Sequence, residues 1–208
     1  MNRAEKPRVH VIDDDEAVRD SISMLLDTVD LPHALYDSAN AFLTSLSNET
    51  EGCLVVDIRM PGMSGLELQE VLNERLVGLP IIFITGHGDV PMAVEAMKRG
   101  ALDFIRKPFR EQDLLDRINE ALEAEAAGRN ARLALADLQR QFESLSPRER
   151  EVYERVAEGQ ANKVIAIDLN ISERTVEIHR AQVMKKMQAR TLAHLVRTKI
   201  DLDAAGAT

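Results

Sequence analysis

"RVHVIDDDEAVR", residues 8–19, joins two kinds of chain at a single point. The first five residues are short, largely apolar and β-branched, and they read as a buried strand that ends at Asp13. From Val18 onward the apolar positions are Val18, Ile22, Leu25, Leu26 and Val29, the spacing of a helix face. Between strand and helix stand three aspartates, Asp13, Asp14 and Asp15. Like charges a few ångströms apart raise one another's pKa and strain a fold. Something must offset them, and a bound cation is the natural candidate.

The same strand-then-helix alternation continues along the chain. "HALY" (33–36) reads as a second strand, and "CLVVDI" (53–58) as a third, stopped by the breaker "MPGMSG" (60–65). Leu68, Val71, Leu72 and Leu76 form the next helical face. "PIIFIT" (80–85) is a fourth strand, stopped by "GHGD", and "VPMAVEAMKRG" (90–100) is a helix with proline near its start and glycine past its end. "LDFIRKPF" (102–109) is a fifth strand and "REQDLLDRINEAL" (110–122) opens a fifth helix. Five such units predict an α/β fold, a doubly wound parallel sheet of strand order 2-1-3-4-5.

Composition adds a second region. The chain has 208 residues and a net charge of −9, but the charge is uneven. Residues 1–125 carry 24 acidic and 12 basic side chains, whereas 160–200 carry 3 and 8. An acidic front and a locally basic rear predict two domains with different partners, the basic one suited to nucleic acid. No apolar run approaches the ~18 residues of a membrane span, and the first residues, "MNRAEKPRVHVI", lack a secretory pattern. With Cys53 as the single cysteine, a disulfide within the chain is excluded and a cytoplasmic setting fits. Cys53 itself reads as a small buried residue.

In a doubly wound sheet the working site lies beyond the carboxyl ends of the strands. Asp13 and Asp14 end the first strand, Asp57 the third, Thr85 the fourth, and Lys107 lies near the end of the fifth. Carboxylates with few other ligands suit Mg²⁺, which keeps waters and shares phosphate oxygens. One carboxylate can attack a phosphoryl group, while an ammonium and a hydroxyl meet the transferred oxygens. Asp15 reads instead as the cap of the first helix. His87, in "TGHGD", reads as a loop residue near the site.

"VIDDDEAVR", "VVDIRMPGMSGLEL" and "FITGHGDVPMAVEAMKRGALDFIRKPF" together resemble the receiver domain of bacterial two-component response regulators, most like the FixJ branch of the FixJ/NarL family. The resemblance covers nearly all of residues 7–123. It implies that Asp57 is the phosphoacceptor, that Asp14, Asp57 and the Arg59 carbonyl ligate Mg²⁺, and that Asp13 acts largely through water. It also implies that Thr85 and Lys107 meet the phosphoryl group and that Phe104 is an aromatic switch. In this family the bond before the proline of "KP", here Lys107–Pro108, is cis.

The rear half differs. In "GRNARLALADLQRQFESL" (128–145), Ala131, Leu135, Leu138, Phe142 and Leu145 form a short apolar seam. It suits docking within the chain or pairing across a dimer, with Gly128 loosening the junction. Residues 124–143 are thus predicted as a helical linker between a receiver domain at 1–123 and a helical domain at 144–208. In "SPREREVYERVAEG", Ser146 caps, Pro147 takes the first helical position, Glu149 completes a capping box and Gly159 follows the end. "NKVIAIDL", the turn "NIS" and the helix "ERTVEIHRAQVMKKM" capped by Ser172 then form a helix-turn-helix, followed by "TLAHLVRTKI". A plain helical bundle with a solvated charged face fits the periodicity as well.

"LSPREREV", "VAEGQANKVIAIDLNISERTVEIHRAQVMKKM" and "HLV" resemble the LuxR-type DNA-binding domain, an all-α four-helix fold, over about 144–200. The resemblance implies base contacts from Glu177, Ile178 and Ala181. It implies phosphate contacts from Lys163, Arg174, Thr175, His179, Arg180 and Lys185. Asn170 stands where the family often has glycine, and Asn tolerates the left-handed conformation. The two resemblances together imply a phosphorylation-dependent transcription regulator rather than an enzyme, one that catalyses only its own phosphoryl transfer and dephosphorylation. Its partners would be a sensor histidine kinase, double-stranded promoter DNA and, when phosphorylated, a second copy. Two other classes remain: a phosphatase of the haloacid-dehalogenase type, which would want its nucleophile on the first strand, and a phosphorylation-independent DNA-binding or scaffold protein.

Overall fold

A computed structural model describes residues 7–47, 49–86 and 90–206. The chain divides into two compact units, one up to Arg129 and one from Asn130. In order, the first holds β1 (Arg8–Ile12), α1 (Glu16–Thr28), β2 (His33–Tyr36), α2 (Ala39–Ser45), β3 (Gly52–Asp57), α3 (Gly65–Glu74), β4 (Ile81–Thr85), α4 (Val90–Lys98) and β5 (Asp103–Arg106). Helix α5 (Glu111–Glu143) begins in this unit and ends in the next. The five strands form one parallel sheet in the order β2-β1-β3-β4-β5, as the alternation predicts.

Alternation along the strands builds a core on each face of the sheet. Val9, Val11, Cys53, Val55, Ile82 and Ile84 pack with Leu25, Leu26, Leu114 and Ile118 of α1 and α5. Ile12, Leu54, Val56 and Phe83 pack on the other face with Phe42, Leu68, Leu72 and Ala96 of α2, α3 and α4. Burial on both faces explains why β3 and β4 read as unbroken apolar runs. Asp15 caps α1 by accepting from the Ala17 amide at 2.9 Å.

The second unit holds the end of α5, then α6 (Pro147–Ala157), α7 (Asn162–Leu169), α8 (Glu173–Lys186) and α9 (Leu192–Ala204). Its core gathers Phe142, Leu145, Val152, Tyr153, Val156, Ile165, Val176, Val183, Met187 and Leu195, with Leu138 packed at its margin. The C-terminal part of the seam is therefore spent inside this unit, while Ala131 stays exposed and Leu135 is half-buried. Helix α6 starts with the capping box of Ser146 and Glu149 and Pro147 in the first turn. Between α7 and α8, Asn170 adopts φ 53° and ψ 49°, the left-handed turn that the sequence requires of it.

Gly128 lies within a helix, as the predicted helical linker has it. Helix α5 runs through it unbroken. One glycine costs about 1 kcal/mol in a helix, which a stretch rich in alanine, glutamate, arginine and leucine can carry. Among the described residues, no helix is long and apolar enough to cross a membrane.

Candidate functional site

Parallel register brings the polar residues to one edge of the first unit. Ile12 pairs with Val56, Asp57 with Ile84, and Thr85 with Arg106, so Asp13, Asp57, Thr85 and Lys107 all emerge at neighbouring strand ends. Asp13 is 1% exposed and Asp57 7% exposed, whereas Asp14 is exposed. Lys107 stands between the two buried carboxylates. Its ammonium donates to Asp13 Oδ2 at 2.7 Å and to Asp57 Oδ1 at 2.8 Å.

The other carboxylate oxygens are held by backbone. The Arg59 amide donates to Asp57 Oδ2 at 2.7 Å, and the Asp15 amide donates to Asp13 Oδ1 at 2.9 Å. Two side-chain oxygens of each acid are thus oriented before any ligand arrives. Gly65, at the start of α3, comes close beneath: a Cβ there would lie 2.5 Å from the Asp57 carbonyl oxygen. Only glycine lets α3 begin so near β3.

Electrostatics follow from this geometry. Burial pushes the Asp57 carboxyl above the ordinary carboxylate value, and the neighbouring Asp13 charge adds to it. The hydrogen bond and charge of Lys107 and the Arg59 amide pull against that rise without cancelling it. For Lys107, burial draws the pKa down, but the hydrogen bonds and charges of Asp13 and Asp57 outweigh it and the net shift is upward. The ammonium therefore stays charged.

Thr85 is 4% exposed, and its hydroxyl donates to the Gly86 carbonyl at 3.2 Å rather than to either acid. Its own carbonyl accepts from the Lys107 amide at 2.7 Å, which ties the two strand ends together. The Lys107–Pro108 peptide is cis. Phe104 is 37% exposed on β5, one strand residue from core position Ile105. His87 lies outside the described residues.

The donor set suits a small divalent cation. Asp13 and Asp57 offer hard oxygens already gathered around one cationic group, and Lys107 leaves three strand-end carboxylates with excess negative charge. Among the described residues no three His, Cys, Asp or Glu side chains form a ready metal cage. Mg²⁺ needs none, because it keeps several waters and takes one or two carboxylates.

A second polar surface belongs to the other unit. Lys163, Arg174, Glu177, Ala181 and Lys185 are exposed, and Ile178 is 56% exposed although apolar. Thr175, His179 and Arg180 are half-buried. Thr175 shares a 2.7 Å hydrogen bond with the capping Ser172, and Arg180 donates to Asn162 Oδ1 at 3.0 Å, linking α8 to the start of α7. The predicted contact residues thus share the outward side of α8 and the start of α7, with Arg180 also serving as a strut.

Several participants escaped the sequence reading. Arg19 donates to the Asp13 carbonyl at 2.7 Å and braces the strand end. Its position one turn into α1 was the only available signal. Gly65 and Asn162 act through close approach and through a side chain 18 residues away, neither of which leaves a local pattern.

Comparison with known proteins finds one family in each part of the chain. Residues 9–119 match the response regulator receiver domain, and residues 143–198 match the luxR family of bacterial regulatory proteins. The transcriptional regulatory protein FixJ of Bradyrhizobium diazoefficiens is 48% identical over 92% of this chain and 94% of its own. Nodulation protein W of the same organism is 47% identical, over 92% of this chain and 85% of its own. The solved structure of the response regulator StyR matches with a TM-score of 0.86 at 47% identity, covering 93% of this chain and 98% of that one. This chain belongs to the response regulator family, with a receiver domain and a LuxR-type DNA-binding domain.

Proposed function

We propose that this response regulator is switched by phosphorylation of Asp57 and then reads promoter DNA through α8. The observation that carries the reading is the bridge from the Lys107 ammonium to both buried acids at the strand edge. The donor would be a phosphohistidine on a sensor kinase. A carboxylate oxygen of Asp57 forms the new O–P bond, the P–N bond breaks, and its electron pair returns to the imidazole nitrogen. Asp13, Asp14, Asp57 and the Arg59 carbonyl would hold Mg²⁺, which when bound neutralises charge on the phosphoryl oxygens. Lys107 steadies the same oxygens, and Thr85 turns its hydroxyl from the Gly86 carbonyl to one of them. The new group adds about two negative charges. Phe104 then moves inward, the α4 surface changes, and two copies associate. Catalysis is confined to the protein's own phosphoryl transfer and hydrolysis, and the setting is the cytoplasm.

We assign residues 1–123 to the receiver, 124–143 to a helical linker and 144–208 to the DNA-binding domain. Glu177, Ile178 and Ala181 face base edges, and Lys163, Arg174, Thr175, His179, Arg180 and Lys185 face phosphates. Incubation with acetyl phosphate and Mg²⁺ tests the first half. Intact-mass measurement should show one phosphoryl group on the parent and none on Asp57→Asn, whose amide is a poor nucleophile. Phosphorylation of Asp57→Asn to the same extent as the parent contradicts the assignment.

A further inference from the structure

Two adjacent lysines end α8, and they do different things. Lys185 is exposed, while Lys186, about 100° further round the helix, is half-buried. The Lys186 ammonium donates to Glu149 Oε2 at 2.7 Å and to the Ser144 carbonyl at 3.0 Å. Ser144 directly follows the last residue of α5, and Glu149 lies in the first turn of α6. One side chain therefore ties the C-terminal end of α8 to the junction between α5 and α6.

The junction is built to hold that tie. Glu149 is buried, and the oxygen that meets Lys186 also accepts from the Ser146 amide at 2.7 Å. Lys186 and the Ser146 capping bonds hold the Glu149 carboxyl below the ordinary glutamate value. Arg150 closes the other side, donating to the Glu143 carbonyl at 3.1 Å with its guanidinium 5.1 Å from the centre of the Phe142 ring. The ring itself packs edge-on to Tyr153 in the core. The end of α5 is thus fixed to α6 by Arg150 and to α8 by Lys186.

We infer that Lys186 is a positioning residue for DNA reading, which with Glu149 sets the angle of α8 against the end of α5 and so its fit to base edges. Lys186 then makes no phosphate contact, in contrast to its neighbour Lys185. The inference rests on the DNA-reading role of α8 proposed above. A residue that orients the reading helix affects specific binding. A phosphate contact affects all DNA alike and contributes about 0.9 to the salt slope.

The test uses the full-length phosphorylated protein and two duplexes: one selected by the parent from a random pool, and a scrambled duplex of the same composition. Lys186→Met should weaken binding to the selected duplex about tenfold while leaving the scrambled duplex and the salt slope unchanged. Glu149→Gln keeps the capping box and removes a negative charge, which by charge alone strengthens DNA binding. It should instead lower the ratio of selected to scrambled affinity about threefold, and Lys186→Arg should restore most of the ratio. A slope reduced by about one unit in Lys186→Met identifies a phosphate contact and overturns the inference. Equal weakening on both duplexes means lost folding rather than lost positioning, and also overturns it, as does a parental ratio in both Lys186→Met and Glu149→Gln. A parent that selects no duplex overturns the reading role of α8 itself.

Discussion

Asp57 is held between opposing influences that serve one purpose. Burial disfavours its charge, and Lys107 restores much of what burial removes. Take the ammonium away and Asp13 and Asp57 face each other as buried carboxylates. Removing one partner of a buried ion pair is strongly destabilising, by about 3–5 kcal/mol. Lys107→Met should therefore lower the melting temperature in chelator. Mg²⁺ should raise it more in this variant than in the parent, because a divalent cation replaces the missing charge. Thermal melts with Mg²⁺ and with chelator check this, and an equal Mg²⁺ effect in the two proteins counts against the metal assignment. These residues were legible in sequence because each ends an apolar strand, and parallel topology sends all strand ends to one edge. Asp13 and Lys107 lie 94 positions apart, yet that rule alone joins them. The rule gives the neighbourhood but not the bonds. The Arg19 brace and the direction of the Thr85 hydroxyl depend on rotamers, which no spacing encodes.

At the scale of elements, α3 positions Asp57 by closeness. Gly65→Ala would place a methyl carbon 2.5 Å from the Asp57 carbonyl oxygen and 2.9 Å from the Phe83 ring. Both neighbours are core, so the start of α3 or the end of β3 must shift. The variant should melt at lower temperature and take phosphate from acetyl phosphate more slowly than the parent. A parental rate and melting temperature together contradict this packing account. Helix α6 offers a pH test. Glu149 has a lowered pKa in the fold, so its pairing stabilises above the ordinary value of 4.5 and is lost as pH falls through the lower folded value. Stability should therefore fall on acidification from above 4.5 through that window, and fall less in Lys186→Met, where the largest cause of the shift is gone. Urea unfolding at pH 6 and pH 4 measures it, and identical pH dependence in both proteins contradicts the pairing. Caps were readable because Ser, Pro, Glu and Gly occupy fixed offsets. That α5 continues without a break into the predicted helical linker was not, because propensity alone does not tell one long helix from two abutting ones.

Over the whole molecule, charge separates input from output. The acidic front carries a balance of −12 over residues 1–125, while residues 160–200 carry +5. A basic reading surface attracts DNA without sequence preference, so the switch must act on the fit or on the number of reading helices rather than on attraction alone. On the function proposed above, association of two copies is the larger contribution, since paired helices reading two half-sites multiply their selectivity. The measurement that tests the phosphorylation switch itself most directly is the affinity of the full-length protein for its selected duplex, with and without acetyl phosphate, in the parent and in Asp57→Asn. Phosphorylation should tighten binding at least about tenfold, on the scale of 1.4 kcal/mol or more, in the parent and not at all in Asp57→Asn. Equal affinity of the phosphorylated and unphosphorylated parent would contradict it.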